Sequence, residues 1–234
     1  MRRILYFFLG LIAFLSLLSS VAVSCVTNES LMKQGFLSYS QTEHLNVPAS
    51  EYEQYAHLIC RCLDGKQDFI QSVDPDTHET KDLFSEKENQ HLRDVKALVT
   101  ALKIARYAGG GAVIAALAAL YFTAKDKSAA VSGAVRGFAL SALMLLAAAA
   151  GLAVWGAVNF NGLFWTFHKI VFTNDLWHLD ARTDLLAALM PLPFFSWFAS
   201  ELLKALLPEL GVMLLVFFAW LHIRNTQKKE RKNP

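Results

Sequence analysis

GFALSALMLLAAAAGLAVWGAV, residues 137–158, is a run of 22 residues without a charge. As an α-helix it reaches about 33 Å, enough to cross the roughly 30 Å hydrocarbon core of a bilayer. So long an uninterrupted apolar segment places the chain in a membrane. Toward the N-terminus, Tyr107–Phe122 (YAGGGAVIAALAALYF) is shorter, and its helix is expected to begin further back in ALVTALKIAR, with Lys103 and Arg106 snorkelling to the interface. Ile4–Val23 is 20 uncharged residues, longer than the apolar part of a signal peptide, so the N-terminus reads as an uncleaved first helix. The AVSC ending at Cys25 only weakly resembles a lipidation box, because Ala22 stands where a large aliphatic residue is usual. Toward the C-terminus, Leu210–Leu221 is brief but extends back through ELLKALLPE as a tilted helix or one kinked at Pro208. Gly109, Gly110 and Gly111, with the alanine-rich faces of the middle helices, permit close backbone approach.

The chain then divides into a first transmembrane helix (1–24), an outer segment (25–98), a second helix (99–123), a loop (124–134), a third helix (135–158), a second outer segment (159–200), a fourth helix (201–223) and a basic tail (224–234). Arg2 and Arg3, then Lys125, Lys127 and Arg136, then Arg224, Lys228, Lys229, Arg231 and Lys232 all fall on one side of this path. The positive-inside rule makes that side cytoplasmic. The expected fold is an all-α membrane protein with four transmembrane helices, both termini cytoplasmic, and a partly helical extracytoplasmic cap formed by the two outer segments.

Composition agrees: 54% of the 234 residues are hydrophobic and 18% charged, more apolar mass than one soluble core accounts for. The net charge of +2 is sorted along the chain, with no basic stripe interleaved with aromatics, which argues against a nucleic-acid partner. Cys25, Cys60 and Cys62 form no disulfide framework, and CRC is one residue short of the usual redox or zinc spacing. No charged residue is expected deep within a span, which argues against transport. No cofactor motif is present.

The outer segments carry helix signals. Ser50 with Glu53 has capping-box spacing, and Tyr52, Tyr55, Ile59, Cys62 and Leu63 recur on one face until Gly65 ends the helix. Ser85 with Glu88 repeats the signal and opens a helix that sets Glu88, His91 and Asp94 at intervals of three, broadly on one face, and that can continue into the second span. Phe69–Val73 reads as an extended segment pairing near Phe36–Tyr39. MPLPFF, residues 190–195, reads as a re-entrant or interfacial turn whose Phe194 and Phe195, with Trp197, dip into lipid and can wall a site.

Of the histidines, His222 reads as a boundary residue, His44 and His78 as lying in polar stretches without structured context, and His57 as exposed. His91 and His168 differ, because each sits in a structured outer segment. His168 is embedded among Phe160, Phe164, Trp165 and Phe167, whose low dielectric favours a neutral imidazole able to exchange a proton. With Glu88 or Asp94 to orient His91, the two can form an acid–base pair. A metal site using Asp180 or Asp184 is a rival use, without an HExxH arrangement to support it. No GxSxG marks a serine nucleophile. Asn161 and Asn174 can donate to an oxyanion, Trp177 offers an amphipathic ring, and Asp180, Arg182 and Asp184 can form an ion-paired turn that stabilises charge or simply fastens the loop.

Three stretches in order, EYEQYAHLICRCLDG (51–65), FSEKENQHLRDVKAL (84–98) and FNGLFWTFHKIVFTNDLWHLDARTDLLAALMPLPFF (160–195), resemble a bacterial integral membrane family whose characterised members are lipoprotein intramolecular transacylases. The combination of ExxHLxDV with FHxxxFxNxxWxLDxxTDxL and a downstream PxxFF carries the resemblance, which spans nearly the whole chain. Ala181 departs from the aliphatic or proline residue usual after WxLD. The resemblance implies transfer of the sn-2 acyl chain of a diacylglyceryl-modified N-terminal cysteine to that cysteine's own α-amine, giving a lyso-form lipoprotein. It implies His91 and His168 as the catalytic residues, and the chemistry assigns His91, oriented by Glu88 or Asp94, as base and His168 as acid or oxyanion donor, or the reverse. The implied partners are diacylglyceryl lipoproteins and membrane lipid, and the implied location is the bacterial cytoplasmic membrane with the site on its extracytoplasmic face; the absence of a cofactor motif and of HExxH leads to the expectation of no cofactor and no metal. Two other readings compete: a lipid-ester hydrolase or intermolecular acyltransferase, and a non-enzymatic membrane assembly or chaperone module.

Overall fold

The computed structural model describes residues 2–67, 71–73 and 80–230. Helix α1 (Arg2–Val26) leads into α2 (Glu29–Tyr39), two 3-10 turns (Glu43–Leu45 and Ala49–Glu51) and α3 (Tyr52–Leu63). A short antiparallel hairpin of β1 (Gln71–Val73) and β2 (Thr80–Asp82) follows. Next come α4 (Glu86–Ile104), a π turn (Ala105–Gly109), α5 (Gly110–Thr123), α6 (Lys127–Val171), α7 (Leu185–Leu189) and α8 (Leu192–Glu230). Phe69, His78, Arg231 and Lys232, on which some sequence readings fall, lie outside the described residues.

Three helical stretches among the described residues are long and apolar enough to cross a membrane: Arg3–Val26, Glu86–Thr123 and Lys127–Val171. The second is 38 residues long, about 57 Å, nearly twice a bilayer core. Its charged residues, Glu86 through Arg106, lie in the N-terminal part, which projects beyond the apolar run Tyr107–Phe122. The expected fusion of the outer helix with the second span is therefore found. Only Ala124–Asp126 separates α5 from α6, and Asp126 starts α6 by accepting the Ala129 N–H at 3.0 Å. The loop expected over 124–134 is thus mostly helix. α8 begins well before Pro208 and runs through it, carrying the segment read as the fourth span.

α1 packs most extensively on α6. Ser141, fully buried, donates to Phe7 O at 2.7 Å across the seam, and a Cβ on Gly137 would stand 2.6 Å from Tyr6 O. Only Gly137 and its like allow that approach. Of the three consecutive glycines in the second span, Gly109 meets Ser16, while Gly110 and Gly111 have open space around them.

The end of the molecule bearing α2, α3, the start of α4 and α7 is packed differently. Phe36, Ile59, Leu189 and Phe194 are fully or almost fully buried in one core with Tyr52, Tyr55, Phe84, Leu92 and Leu186. α3 buries the face read from its sequence and stops at Asp64, followed by Gly65 at φ +79°. Ser50 does not cap it: the Ala49–Glu51 turn feeds directly into the helix, and Glu53 pairs with Lys33 instead. The Ser85–Glu88 capping box does form. β1 pairs with β2 rather than with Phe36–Tyr39, which are helical. Lys103 binds Asp64, at 2.7 Å to the carbonyl and 2.5 Å to the carboxylate, fastening α4 to the end of α3. All three cysteines are buried, and burial, with Glu29 and Asp64 adding to it, pushes the Cys60 thiol up to about 12.

Candidate active site

α6 is not straight. Asn159 leaves helical geometry (φ −151°, ψ 76°), and its Oδ1 accepts the Gly162 N–H at 2.8 Å, so a new helix N-terminus forms there and the chain restarts in another direction. The residues expected to open an outer loop are thus a helical arm, and that arm carries His168. The polar half of α4 carries His91. The two imidazoles meet at 6.3 Å between ring centres, with planes 36° apart. His91 is 8% exposed and His168 7%. That gap lets one reacting group hydrogen-bond to each ring.

The walls are aromatic. Phe164, Phe167, Phe172 and Trp177 stand 4.1, 5.3, 5.6 and 5.0 Å from the His168 ring, and Phe172 also stands edge-on to His91 at 5.1 Å. Phe195 closes on Phe164 at 5.1 Å. The start of α8 therefore does wall the site, but not by dipping into lipid: Phe194 is 2% exposed and packs on Phe36 and Phe198, and Trp197 packs on Tyr39. The cap core competes successfully for these rings.

The hydrogen bonds distinguish the two histidines. His168 Nδ1 lies 2.8 Å from Phe164 O, and since a carbonyl only accepts, Nδ1 carries the proton and Nε2 the lone pair. His91 Nδ1 is buried and has no hydrogen-bond partner among the described residues. Burial, and then the neighbouring His168, push the His91 imidazole down to about 4, against a smaller opposing pull from Asp94. Burial also lowers His168, with Phe164 O opposing and His178 adding to the shift. Both rings are held neutral near pH 7.

The remaining candidates sort by contact. Asp94 accepts from Asn174 Nδ2 at 2.8 Å, tying α4 to the loop after the arm, while Asn174 Oδ1 accepts the Leu176 N–H. Glu88 is 3% exposed, but its two oxygens accept the N–H groups of Ser85 and Leu186, each at 2.7 Å. It joins α4 to α7 rather than orienting His91. Asp180 and Arg182 form an exposed bidentate pair that holds the Asp180 carboxyl down at about 2, and Asp184 accepts the Asp180 N–H at 2.7 Å. This trio fastens its own turn. Asn161 is exposed on the arm, away from these bonds.

Two histidines take on roles the sequence did not suggest. His44 Nε2 donates to Ala181 O at 2.9 Å, linking the two outer segments. His178, unremarked in the sequence, stacks on Trp177 beside the pair. No local pattern signals either contact, except that His178 directly follows a tryptophan. His57 is half-exposed and pairs with Glu29 at 3.0 Å. Among the described residues no three His, Cys, Asp or Glu side chains gather as a metal site. An apolar cavity of about 630 Å³ lies elsewhere, at the opposite end of the bundle, lined by Tyr6, Leu9, Val113, Ala139, Leu143 and Phe217 and by none of the candidates.

Fold and site define a helical integral membrane protein with a paired-imidazole centre where the bundle meets its cap. The family model for the lipoprotein intramolecular transacylase Lit matches residues 6–195, which include both histidines and their walls. The chain belongs to that family, and it is a membrane transacylase enzyme. The solved structure of the membrane integral lipoprotein intramolecular transacylase Lit from Bacillus cereus is similar over 97% of this chain and 98% of its own, with TM-score 0.68 and 18% identity. A histidine-to-arginine variant of that protein matches over 100% of this chain and 95% of its own, with TM-score 0.64 and 19% identity. At such identity the likeness carries the fold. No curated protein sequence matches the chain.

Proposed function

We propose that the enzyme moves the sn-2 acyl chain of a diacylglyceryl-modified N-terminal cysteine to that cysteine's α-amine, producing a lyso-form lipoprotein. The observation that carries this reading is the meeting of His91 and His168, both neutral and buried among aromatics. The substrate's own amine is the nucleophile, so the protein has only to position amine and ester, manage one proton and stabilise the oxyanion.

His168 is the better base, because its proton sits on Nδ1 against Phe164 O and leaves the Nε2 lone pair free. The amine nitrogen bonds to the ester carbonyl carbon while His168 Nε2 takes its proton. His91, with no Glu88 contact to raise its basicity, donates an N–H to the oxygen that becomes negative. The C–O bond to the glyceryl sn-2 oxygen then breaks, and the proton held by His168 passes to that oxygen. An amide and a free hydroxyl replace an amine and an ester, and no water is consumed. The acyl chains lie in lipid between the helices while the lipoprotein polypeptide projects past the cap. In this reading α8 provides the fourth span, both termini are cytoplasmic, and the site faces outward from a bacterial cytoplasmic membrane.

Mass spectrometry of the N-terminal lipopeptide tests the proposal. With wild type the total mass stays constant while one acyl group appears on nitrogen. His91→Ala and His168→Ala each lower the rate by roughly 10²–10⁴-fold while still accumulating in the membrane. Release of free fatty acid would indicate a hydrolase, acylation of an added amine an intermolecular acyltransferase, and full activity in both variants would refute the histidine assignment.

A further inference from the structure

His178 is the third histidine at this end of the molecule, and the acyl-transfer scheme leaves it without a task. Its ring stacks on Trp177 at 3.7 Å between centres, planes 27° apart, and lies 5.1 Å from Trp165 on the helical arm. Trp177, 7% exposed, meets the His168 ring at 5.0 Å with planes 33° apart. One buried indole thus touches both imidazoles. His178 itself is partly exposed, with 37% of its side chain open to solvent. Its backbone is anchored on both sides: Lys87 of α4 donates to its carbonyl, and its N–H donates to Asp175 O at 3.1 Å. Its Nδ1 donates to the same Asp175 carbonyl at 3.2 Å, which fixes the ring's orientation.

We propose that His178 is a positioning residue for His168: it presses Trp177 against the His168 ring and brings a titratable charge to the outer side of that wall. The proposal rests on the reading of His168 as the reacting base. Holding the indole still holds the imidazole still, and a reacting nitrogen displaced by an ångström loses much of its rate. The charged and titratable groups facing His178 are the Asp175 carboxylate on its own loop at 3.5 Å, the Lys87 ammonium on α4, and His168 on the arm beyond Trp177. When His178 is protonated, its positive charge opposes proton uptake by His168. His168 then stays neutral, and able to accept the amine proton, to lower pH than it would alone.

Two variants separate the contributions. His178→Phe keeps a ring to stack and removes the charge; the acid limb of its kcat/KM profile should move to higher pH by roughly half a unit, with kcat at pH 8 near wild type. His178→Ala also removes the stack and should lose about tenfold in kcat with KM little changed. The titration midpoint of His168, followed by NMR of histidine-labelled protein in detergent, is read without turnover and should rise in both variants. A midpoint and pH profile that stay put in His178→Phe overturn the charge role, and an unchanged kcat in His178→Ala overturns the positioning role. If wild type transfers no acyl group yet the midpoint rises, the coupling through Trp177 stands and the acyl-transfer reading fails instead.

Discussion

In the cap, Phe36, Ile59, Leu189 and Phe194 have almost no accessible surface, whereas in the bundle Leu143, Ile114 and Val158 remain 65%, 72% and 83% exposed by the protein alone. The sequence is apolar in both regions; the packing rules differ. Water drives large side chains together in the cap, at roughly 25 cal/mol for each Å² withdrawn. Lipid offers no such drive, so the bundle is held where small residues let backbones touch and where a serine reaches across, as at Gly137 and Ser141 against α1. The proposed active site lies on the border. It takes its arm from the bundle helix α6, its second histidine from the polar half of α4, and its outer wall from the cap.

Changes on either side of that border test the contrast. The largest stability effect is expected from Phe194→Ala in the cap core: a loss of about 3–5 kcal/mol, seen as a lowered unfolding temperature in detergent. A loss below about 1 kcal/mol would mean that the cap core is loose. Gly137→Val in the bundle should cost about 1–3 kcal/mol by driving α1 from α6, and crosslinking of cysteines placed along that seam should fall. An unaffected crosslink would place the seam elsewhere.

Acid probes the border itself. Burial lowers the His91 imidazole from 6.5 to about 4, so the folded protein binds its proton less readily than the unfolded chain. Above pH 6.5 neither state is protonated there and stability is complete; as pH falls from 6.5 toward 4 the unfolded state gains the proton first and stability is lost. The unfolding temperature should fall through that window and fall less in His91→Gln. The smallest effect is expected from Arg182→Gln, because its exposed pair with Asp180 is screened by water. The unfolding temperature should not move, and a substantial drop would show that the turn carries more of the cap than its contacts imply.

Much of this was legible locally. The Ser85–Glu88 capping box, the buried face of α3 ending at Gly65, and the continuation of the outer helix into the second span all follow from periodicity and capping. The Ser50–Glu53 signal has the same spacing and fails, because Lys33, distant in sequence, takes Glu53 and a 3-10 turn already leads into the helix. MPLPFF reads as lipid-facing because nothing in its own sequence says that Phe36 waits to receive Phe194.

The sequence by itself determined that the chain enters a membrane, that α3 and the start of α4 are helical, and that His91 and His168 merit attention, since hydropathy, helical period and an aromatic neighbourhood are properties of adjacent residues. Only the tertiary structure decided that the two imidazoles meet, that Glu88 serves the Leu186 N–H instead of His91, and that His178 shares an indole with His168. Those outcomes depend on the direction in which α6 restarts after Asn159 and on which distant group reaches each buried donor first, and neither is written in any short stretch of chain.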